Sequence, residues 1–282
     1  MIKVLKSGFY TSVQDRGRKG FGSIGVPISG VMDSYSANIA NSVLKNSLEN
    51  AVLEITFGGC EFEFTNETII CISGANFSAK INNEPITLNS RIKVNINDVL
   101  SFGKIVFGVR CYLAVKGGFL TNSVLKSRSF YQNITEDFLI KKDDLLPIES
   151  YISDLRPLNA AVIIDELHFV SNKIGCYKGP EFDLLDEFQK KEIETHIFTI
   201  SNDNNRMGCR LNEIVENKIP SILTSAVIPG TVQLTPSGKL IILMRDCQVT
   251  GGYPRVLQLT DSAINQMAQK TTNNLVKFIL YD

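Results

Sequence analysis

The chain has 282 residues, long for one ordinary domain and enough for about two. Its 29 basic residues match 29 acidic ones, which excludes a broad basic field for nucleic acid or an acidic membrane surface. With 44% hydrophobic residues real cores are well supplied, and the expected partners are small molecules or other proteins.

The opening, MIKVLKSGFYTSVQDRG, lacks the apolar run of a secretory signal. No window approaches the ~20 apolar residues of a membrane span. Cys60, Cys71, Cys111, Cys176, Cys209 and Cys247 are scattered without a C-x-x-C pair. Free thiols in a reducing cytoplasm are the simplest expectation, each thiol acting as a small buried hydrophobe.

In chain order, Gly17, Gly20, Gly22, Gly25 and Gly30 crowd the stretch from Ser12 to Leu44, which then turns amphipathic. A helix is predicted over Asp33–Lys45, with Asp33 as its cap and Tyr35, Ile39 and Val43 repeating beside Ala40 and Leu44. Strands follow at Val52–Phe57, Glu67–Ile72, Phe77–Ile81, Lys104–Val109 and Cys111–Val115, and "INNEPI" (Ile81–Ile86) reads as a hairpin turn. The strand rhythm fades over Ser127–Leu158. A boundary is set near 155, giving an N-terminal β-rich domain over 1–155, carrying "QDRGR" and "GVPISG", and a barrel-like domain over 156–282. In the second half a helix is expected at Asp183–Glu194, with Leu184, Leu185 and Phe188 on one side, and another at Asp261–Lys270 capped by Asp261. Strands are expected at His196–Ile200, Thr231–Leu234, Leu240–Arg245, Arg255–Leu259 and Leu275–Leu280. Frequent strands and sparse helices predict a mainly β chain of barrels or sandwiches.

Four stretches carry candidate chemistry. "DRGRKGFG" has no Walker spacing and only a loose dinucleotide pattern. It reads either as a ligand-facing loop flanked by Asp15, Arg16 and Arg18, or as a multi-turn connection with Asp15 and Arg18 paired. "RMGCRL" (Arg206–Leu211) offers two guanidinium forks for a carboxylate or phosphate, or two surface arginines at a turn. "GGYPR" (Gly251–Arg255), preceded by Gln248 and Thr250, is denser in binding groups than the β-meander it otherwise reads as. "SGANFSAKI" and "YLAVKGGF" put small residues at expected strand ends, where turns are the plain reading. Two histidines, His168 and His196, are too few for a His-rich metal site, and no G-x-S-x-G elbow is present. Asp15, Asp33 and Glu54 are possible acid–base carboxylates.

Taken together and in order, "SVQDRGRKGFGSIGVPISGVMDSYSANIAN", "LEITFGG", "ISGA", "YLAVKGGF", "NRMGCRL" and "GGYPR" resemble the biotin-dependent carboxyltransferase family, also called allophanate hydrolase subunit 2 or KipA-like. The likeness is greatest to its free-standing bacterial members, those that serve as the C component of 5-oxoprolinase, and it runs from Thr11 to Phe278. It implies a cyclophilin-like β-barrel, a KipI-like protein (the B component) as partner and a LamB/YcsF-like protein (the A component) as third member. The reaction implied is ATP-dependent opening of 5-oxoproline to glutamate, with ATP assigned only to the complex. Two alternatives are a carboxyltransferase component of urea amidolyase type, for which biotin would be the cofactor, and a KipI-binding regulator. No metal is expected. Biotin's ureido ring, urea and the 5-oxoproline lactam share a flat amide that asks for donors to its C=O and an acceptor for its N–H. On that basis Asp15, Arg18, Asp33 and Arg206 are the catalytic candidates. Gln14, Gly25, Gly30, Arg210, Gln248, Thr250, Gly251, Gly252, Tyr253 and Arg255 are the substrate-binding candidates, with the opening glycines and "GGYPR" expected to wall one cleft. Two departures from the pattern stand out: Thr224-Ser225-Ala226, where relatives often have Ser-Glu-Gly, and "KSRSFYQN" around Arg128, where relatives usually have a Gly- and Arg-rich loop.

Overall fold

The computed structural model describes residues 1–151, 162 and 164–281; the boundary expected near 155 lies outside them. The chain packs as two compact units: Met1–Arg18 with Asp33–Asp165, and Lys19–Met32 with Glu166–Asp282. The segment carrying "GVPISG" therefore counts with the second unit, whereas the sequence reading kept the first 155 residues together.

The first unit holds β1 (Ile2–Ser7), β2 (Tyr10–Gln14), β3 (Val52–Thr56), β4 (Cys60–Phe64), β5 (Thr68–Asn76), β6 (Lys80–Ile81), β7 (Glu84–Pro85), β8 (Ile92–Val94), β9 (Val99–Ser101), β10 (Phe107–Val115) and β11 (Leu145–Leu146). They form two sheets, in orders β11-β1-β4-β9-β6-β7 and β2-β3-β10-β5-β8. One core unites them: Ile2, Val4, Phe62 and Phe64 from the first meet Val13, Leu53, Ile55, Ile72 and Leu113 from the second. Period-two alternation along each strand supplies that apolar face. As read from sequence, "INNEPI" is a hairpin, with Asn82 at φ 49° and Asn83 at 73° turning β6 into β7.

Three strand expectations change. The runs at Lys104–Val109 and Cys111–Val115 join in one strand, β10, that begins at Phe107. The strand expected to end at Ile72 continues to Asn76, so Ser73, Gly74 and Ala75 lie inside β5 and form no turn. Phe77 falls outside a strand and packs in the core. Helix α1 (Ser34–Val43) packs on β5 and β10, and it is capped by Asp33, whose carboxylate accepts the Ser36 N–H. Its buried face is Ser36, Ala37, Ala40, Asn41 and Val43, while Tyr35 and Ile39 are half-buried. Small residues face the sheet because the approach is close: a Cβ on Gly74 would stand 3.3 Å from Ser36 Cβ.

The second unit is a closed barrel of seven strands: β12 (Lys173–Lys178), β13 (Phe198–Asn204), β14 (Gly208–Ile214), β16 (Thr231–Leu234), β17 (Lys239–Leu243), β19 (Arg255–Leu259) and β20 (Leu275–Leu280), with a small ribbon of β15 (Ser225–Ala226) and β18 (Thr250–Gly251). Parallel pairing of β12 with β20 closes it. Its core includes Ile174, Leu211, Val232, Ile242, Leu257 and Phe278, with Met32 from the early segment. The mainly β class and the barrel expected from the strand frequency are present.

Helix α2 (Leu167–Val170) precedes the barrel, α3 (Glu187–Thr195) packs on β20 and α4 (Asp261–Met267) on β12. Two helix starts differ from expectation. Asp186, not Asp183, opens α3, because Asp186 and Gln189 bond each other's backbone N–H in a capping box. Phe182–Leu184 is a separate 3-10 turn, and Leu184 and Phe188 are exposed while Leu185 is buried. Thr260, not Asp261, caps α4 by accepting the Ala263 N–H. His196, expected in a strand, is the exposed C-cap of α3. No helix among the described residues is long and apolar enough to cross a membrane. All six cysteines are free and buried.

Candidate functional site

In the first unit, the sheet face opposite the core is polar, yet it is closed to water. Register sets Ser12 beside Glu54, Glu54 beside Tyr112 and Tyr112 beside Ser73, across β2, β3, β10 and β5. Residues directly opposite one another point to the same side. All four are at most 1% exposed. The Tyr112 hydroxyl donates to Glu54 Oε2 at 2.9 Å and accepts the Asp33 N–H at 2.8 Å. Arg110 approaches the other Glu54 oxygen at 3.8 Å. Burial first, then the neighbouring Glu54 and Asp33 carboxylates, push the Tyr112 phenol well above its ordinary range, with Arg110 opposing them. This hydroxyl stays protonated and acts as a fixed donor.

Gln14, Asp15 and Arg18 all turn to the segment 127–130. Asp15 Oδ1 accepts Ser127 Oγ at 2.6 Å, Ser129 Oγ at 2.7 Å and the Gly17 N–H at 2.8 Å, and Oδ2 accepts the Arg128 N–H at 2.6 Å. Arg18, 1% exposed, donates to the Ser129 carbonyl. Gln14 Nε2 donates to Ser12 Oγ at 2.9 Å and the Phe130 carbonyl at 3.2 Å. Four donors on one carboxylate organise a loop. Asp33 caps α1, with Ser36 Oγ donating to Oδ2 at 2.6 Å.

In the second unit, Gly25 and Gly30 lie on the segment that runs beside residues 245–249. Gly25, at φ 79°, closes the 3-10 turn Gly22–Ile24. A Cβ on Gly22 would stand 3.9 Å from the Val249 side chain. The Ser29 N–H donates to the Arg245 carbonyl at 3.1 Å. Arg206 is buried, with Nε on Asp246 Oδ2 at 2.7 Å and Nη2 on Asp246 Oδ1 at 2.9 Å and on the Gly30 carbonyl at 2.7 Å. Its fork is therefore engaged within the protein. Arg255 is engaged likewise: Nε and Nη2 hold the Glu181 carboxylate at 2.9 and 2.8 Å, and Nη1 donates to the Ala226 carbonyl at 3.0 Å. These hydrogen bonds lower the Glu181 carboxyl below its usual range. Arg210, on β14, pairs at the surface with Asp203.

Gln248, Thr250 and Tyr253 stand exposed around Gly251 and Gly252. The two glycines answer to packing: a Cβ at 251 would meet Gln233 Nε2 at 2.6 Å, and one at 252 the Ile222 carbonyl at 3.1 Å. The structure thus brings Gly25, Gly30, Arg206, Gln248, Thr250, Gly251, Gly252, Tyr253 and Arg255 into the second unit, and Gln14, Asp15, Arg18 and Asp33 into the first. No cluster of His, Cys, Asp and Glu among the described residues holds metal-ligand geometry.

Sequence reasoning missed Tyr112, Arg110 and Ser12 in the first unit and Ser29 and Asp246 in the second. Tyr112 falls in "YLAVKGGF", but its pairing in register with Glu54, a candidate carboxylate, is visible only in the folded sheet. Asp246 gave no signal, since its partner is 40 residues away.

Residues 24–280 match the family model described as the carboxyltransferase domain, subdomain A and B. The chain is 30% identical to the C component of 5-oxoprolinase from Escherichia coli, over 99% of this chain and 91% of that protein. It is 27% identical to the Haemophilus influenzae protein of the same name, over 99% and 90%. Urea amidolyase of Lachancea kluyveri is 32% identical over 74% of this chain and only 12% of its own length. The solved urea amidolyase of K. lactis superposes with a TM-score of 0.86 at 28% identity, over the whole of this chain and 19% of the larger one. With a barrel unit, a β-sandwich unit and a family match over nearly its whole length, the chain belongs to the biotin-dependent carboxyltransferase family, as a domain homologous to the 5-oxoprolinase C component and to the related parts of the urea amidolyases.

Proposed function

We propose that the chain is one component of an enzyme acting on a small flat amide or ureido compound, of the biotin-dependent carboxyltransferase kind, and that Gln248, Thr250 and Tyr253 meet the ligand. One observation carries this reading. These polar side chains are exposed on a turn whose flanks are fixed by two engaged ion pairs, Arg206–Asp246 and Arg255–Glu181. Fixing the chain on either side of the turn lowers the ordering cost of binding to that of the exposed side chains themselves. The donor set fits a ureido ring: the Gln248 amide offers a donor for its C=O and an acceptor for its N–H, Thr250 a hydroxyl, and Tyr253 a flat face. When bound, biotin supplies the carboxyl group for transfer. Gln248 and Thr250 would orient the ring, and Tyr253 would cover it.

A second reading is favoured by the share of each relative that is matched. The match to the 5-oxoprolinase C component takes in 91% of that protein, whereas the urea amidolyase match occupies 12%. In this reading the chain is the C component of an ATP-dependent 5-oxoprolinase. It works with a KipI-like B component and a LamB/YcsF-like A component to open 5-oxoproline to L-glutamate. The same turn would hold the lactam, with donors stabilising charge on its oxygen. ATP belongs to the complex, and no site for it is assigned to this chain. The buried free cysteines support a cytoplasmic setting, and the closed barrel supports a cyclophilin-like architecture.

Assembly of the three components, each omitted in turn, tests both readings. Glutamate and phosphate released from 5-oxoproline only when this chain is present supports the oxoprolinase reading. Carboxylation of urea or a related amide with a biotinylated carrier supports the carboxyltransferase reading. Complex formation with undiminished turnover in its absence overturns both and leaves a regulator.

A further inference from the structure

Within Gly25–Gly30 one residue with a side chain, Ser29, holds a left-handed backbone angle. Ser29 stands at φ 58°, a region that residues with side chains seldom enter and that neighbours must hold in place, and Gly30 follows at 94°, which glycine adopts freely. The holding is concentrated on one carboxylate. Asp246 Oδ1 accepts Ser29 Oγ at 2.6 Å and Arg206 Nη2 at 2.9 Å, while Oδ2 accepts Arg206 Nε at 2.7 Å. The same Nη2 donates onward to the Gly30 carbonyl at 2.7 Å. The Asp246 N–H donates to the Arg206 carbonyl at 2.9 Å, so side chain and backbone are tied to the same residue.

Asp246 also stands two residues before Gln248, at the root of the exposed turn, and Gly22 lies against Val249 on that turn. Asp246, Arg206 and Ser29 are 7%, 5% and 2% exposed. They are therefore placed to fix backbone. Bidentate, charge-assisted pairing gives the direction as well as the strength that such fixing needs.

We propose that Asp246 is a positioning residue: through Ser29 and Arg206 it locks the Gly25–Gly30 segment beside the Gln248–Tyr253 turn and so sets the affinity for substrate. This rests on the reading that the turn receives the substrate. A ligand gripped by a loosened frame binds less tightly in ground state and transition state alike, which raises KM and leaves kcat in place.

The test joins hydrogen exchange on the full chain with kinetics of the assembled enzyme, using 5-oxoproline and urea as probes. Ser29→Gly removes the hydroxyl and keeps a backbone at ease at positive φ; Asp246→Asn removes the charge, and Ser29→Gly stands in if Asp246→Asn does not fold. Expected is about tenfold faster exchange confined to residues 22–30, with KM raised about tenfold and kcat within about twofold. Faster exchange with unchanged KM keeps the lock and removes the substrate reading of the turn. Unchanged exchange at 22–30, or faster exchange spread over the whole barrel, overturns the proposal.

Discussion

The Tyr112 hydroxyl donates to Glu54 across adjacent strands at 2.9 Å, both side chains sealed from water. It also receives the Asp33 N–H at the start of α1. One hydroxyl therefore serves two groups that have no water to fall back on. Tyr112→Phe keeps the ring and takes one hydrogen-bond partner from a buried carboxylate and one from a buried backbone donor, at an expected cost of about 1–3 kcal/mol. Glu54→Ala costs more, about 3–5 kcal/mol, because Arg110 then keeps a buried charge without that partner. Urea denaturation reads both. Tyr112→Phe at wild-type stability would show that the contact contributes nothing.

Asp15 makes a different prediction. Its carboxylate gathers Ser127, Arg128, Ser129 and Gly17. Asp15→Ala leaves those donors without an acceptor and is expected to cost about 2 kcal/mol and to open residues 127–130 to protease. Asp15→Asn keeps one acceptor oxygen and should retain part of the protection. Cleavage rates at this segment that match wild type would show that Asp15 does not hold it.

This contrast explains what was legible in the sequence. Asp33 was readable as a cap because the bond it makes is three residues long, and the Asn82–Asn83 hairpin because both residues tolerate left-handed angles. The buried polar face was not readable. Ser12, Glu54, Tyr112 and Ser73 alternate with apolar neighbours as a solvent-facing side does. Packing of α1 against β5 and β10, the strands of Ser73 and Tyr112, belongs to the tertiary structure and leaves no mark in that alternation. Helix starts failed at Asp183 and Asp261 for a related reason. Several acceptors compete at each site, and Asp186 and Thr260 win through bonds to the backbone N–H three residues on. The arginines were legible as forks, but their partners, Asp246 and Glu181, were not, being 40 and 74 residues away.

Alkaline pH should weaken the fold. Burial pushes the Cys71, Cys176 and Cys247 thiols up to about 12 and raises Cys60, Cys111 and the Tyr112 phenol as well. In the unfolded chain these thiols lose protons from about pH 8.5 upward. Above that value the native state binds more protons than the unfolded one, so stability falls as pH rises. The urea midpoint should decline steadily from about pH 8 to about pH 10, with the thiols slow toward an aromatic disulfide reagent until unfolding. A flat or rising midpoint over that interval contradicts the assignment.

The exposed turn separates function from stability. Gln248, Thr250 and Tyr253 lie at the surface; Tyr253 is 39% exposed. Substitutions at such positions usually change stability by no more than about 0.5 kcal/mol. If the turn receives a flat amide, Gln248→Ala removes the amide that donates to the C=O and accepts from the N–H, and Tyr253→Ala removes the covering ring. Each should lower kcat/KM of the assembled enzyme about tenfold or more while the denaturation midpoint stays put, since a paired hydrogen bond or a stacked face contributes about 1–2 kcal/mol. Thr250→Val, which keeps shape and loses only the hydroxyl, should fall between these variants and wild type. Full activity in all three with unchanged folding moves the ligand away from this turn, because no stability loss would then be hiding the result.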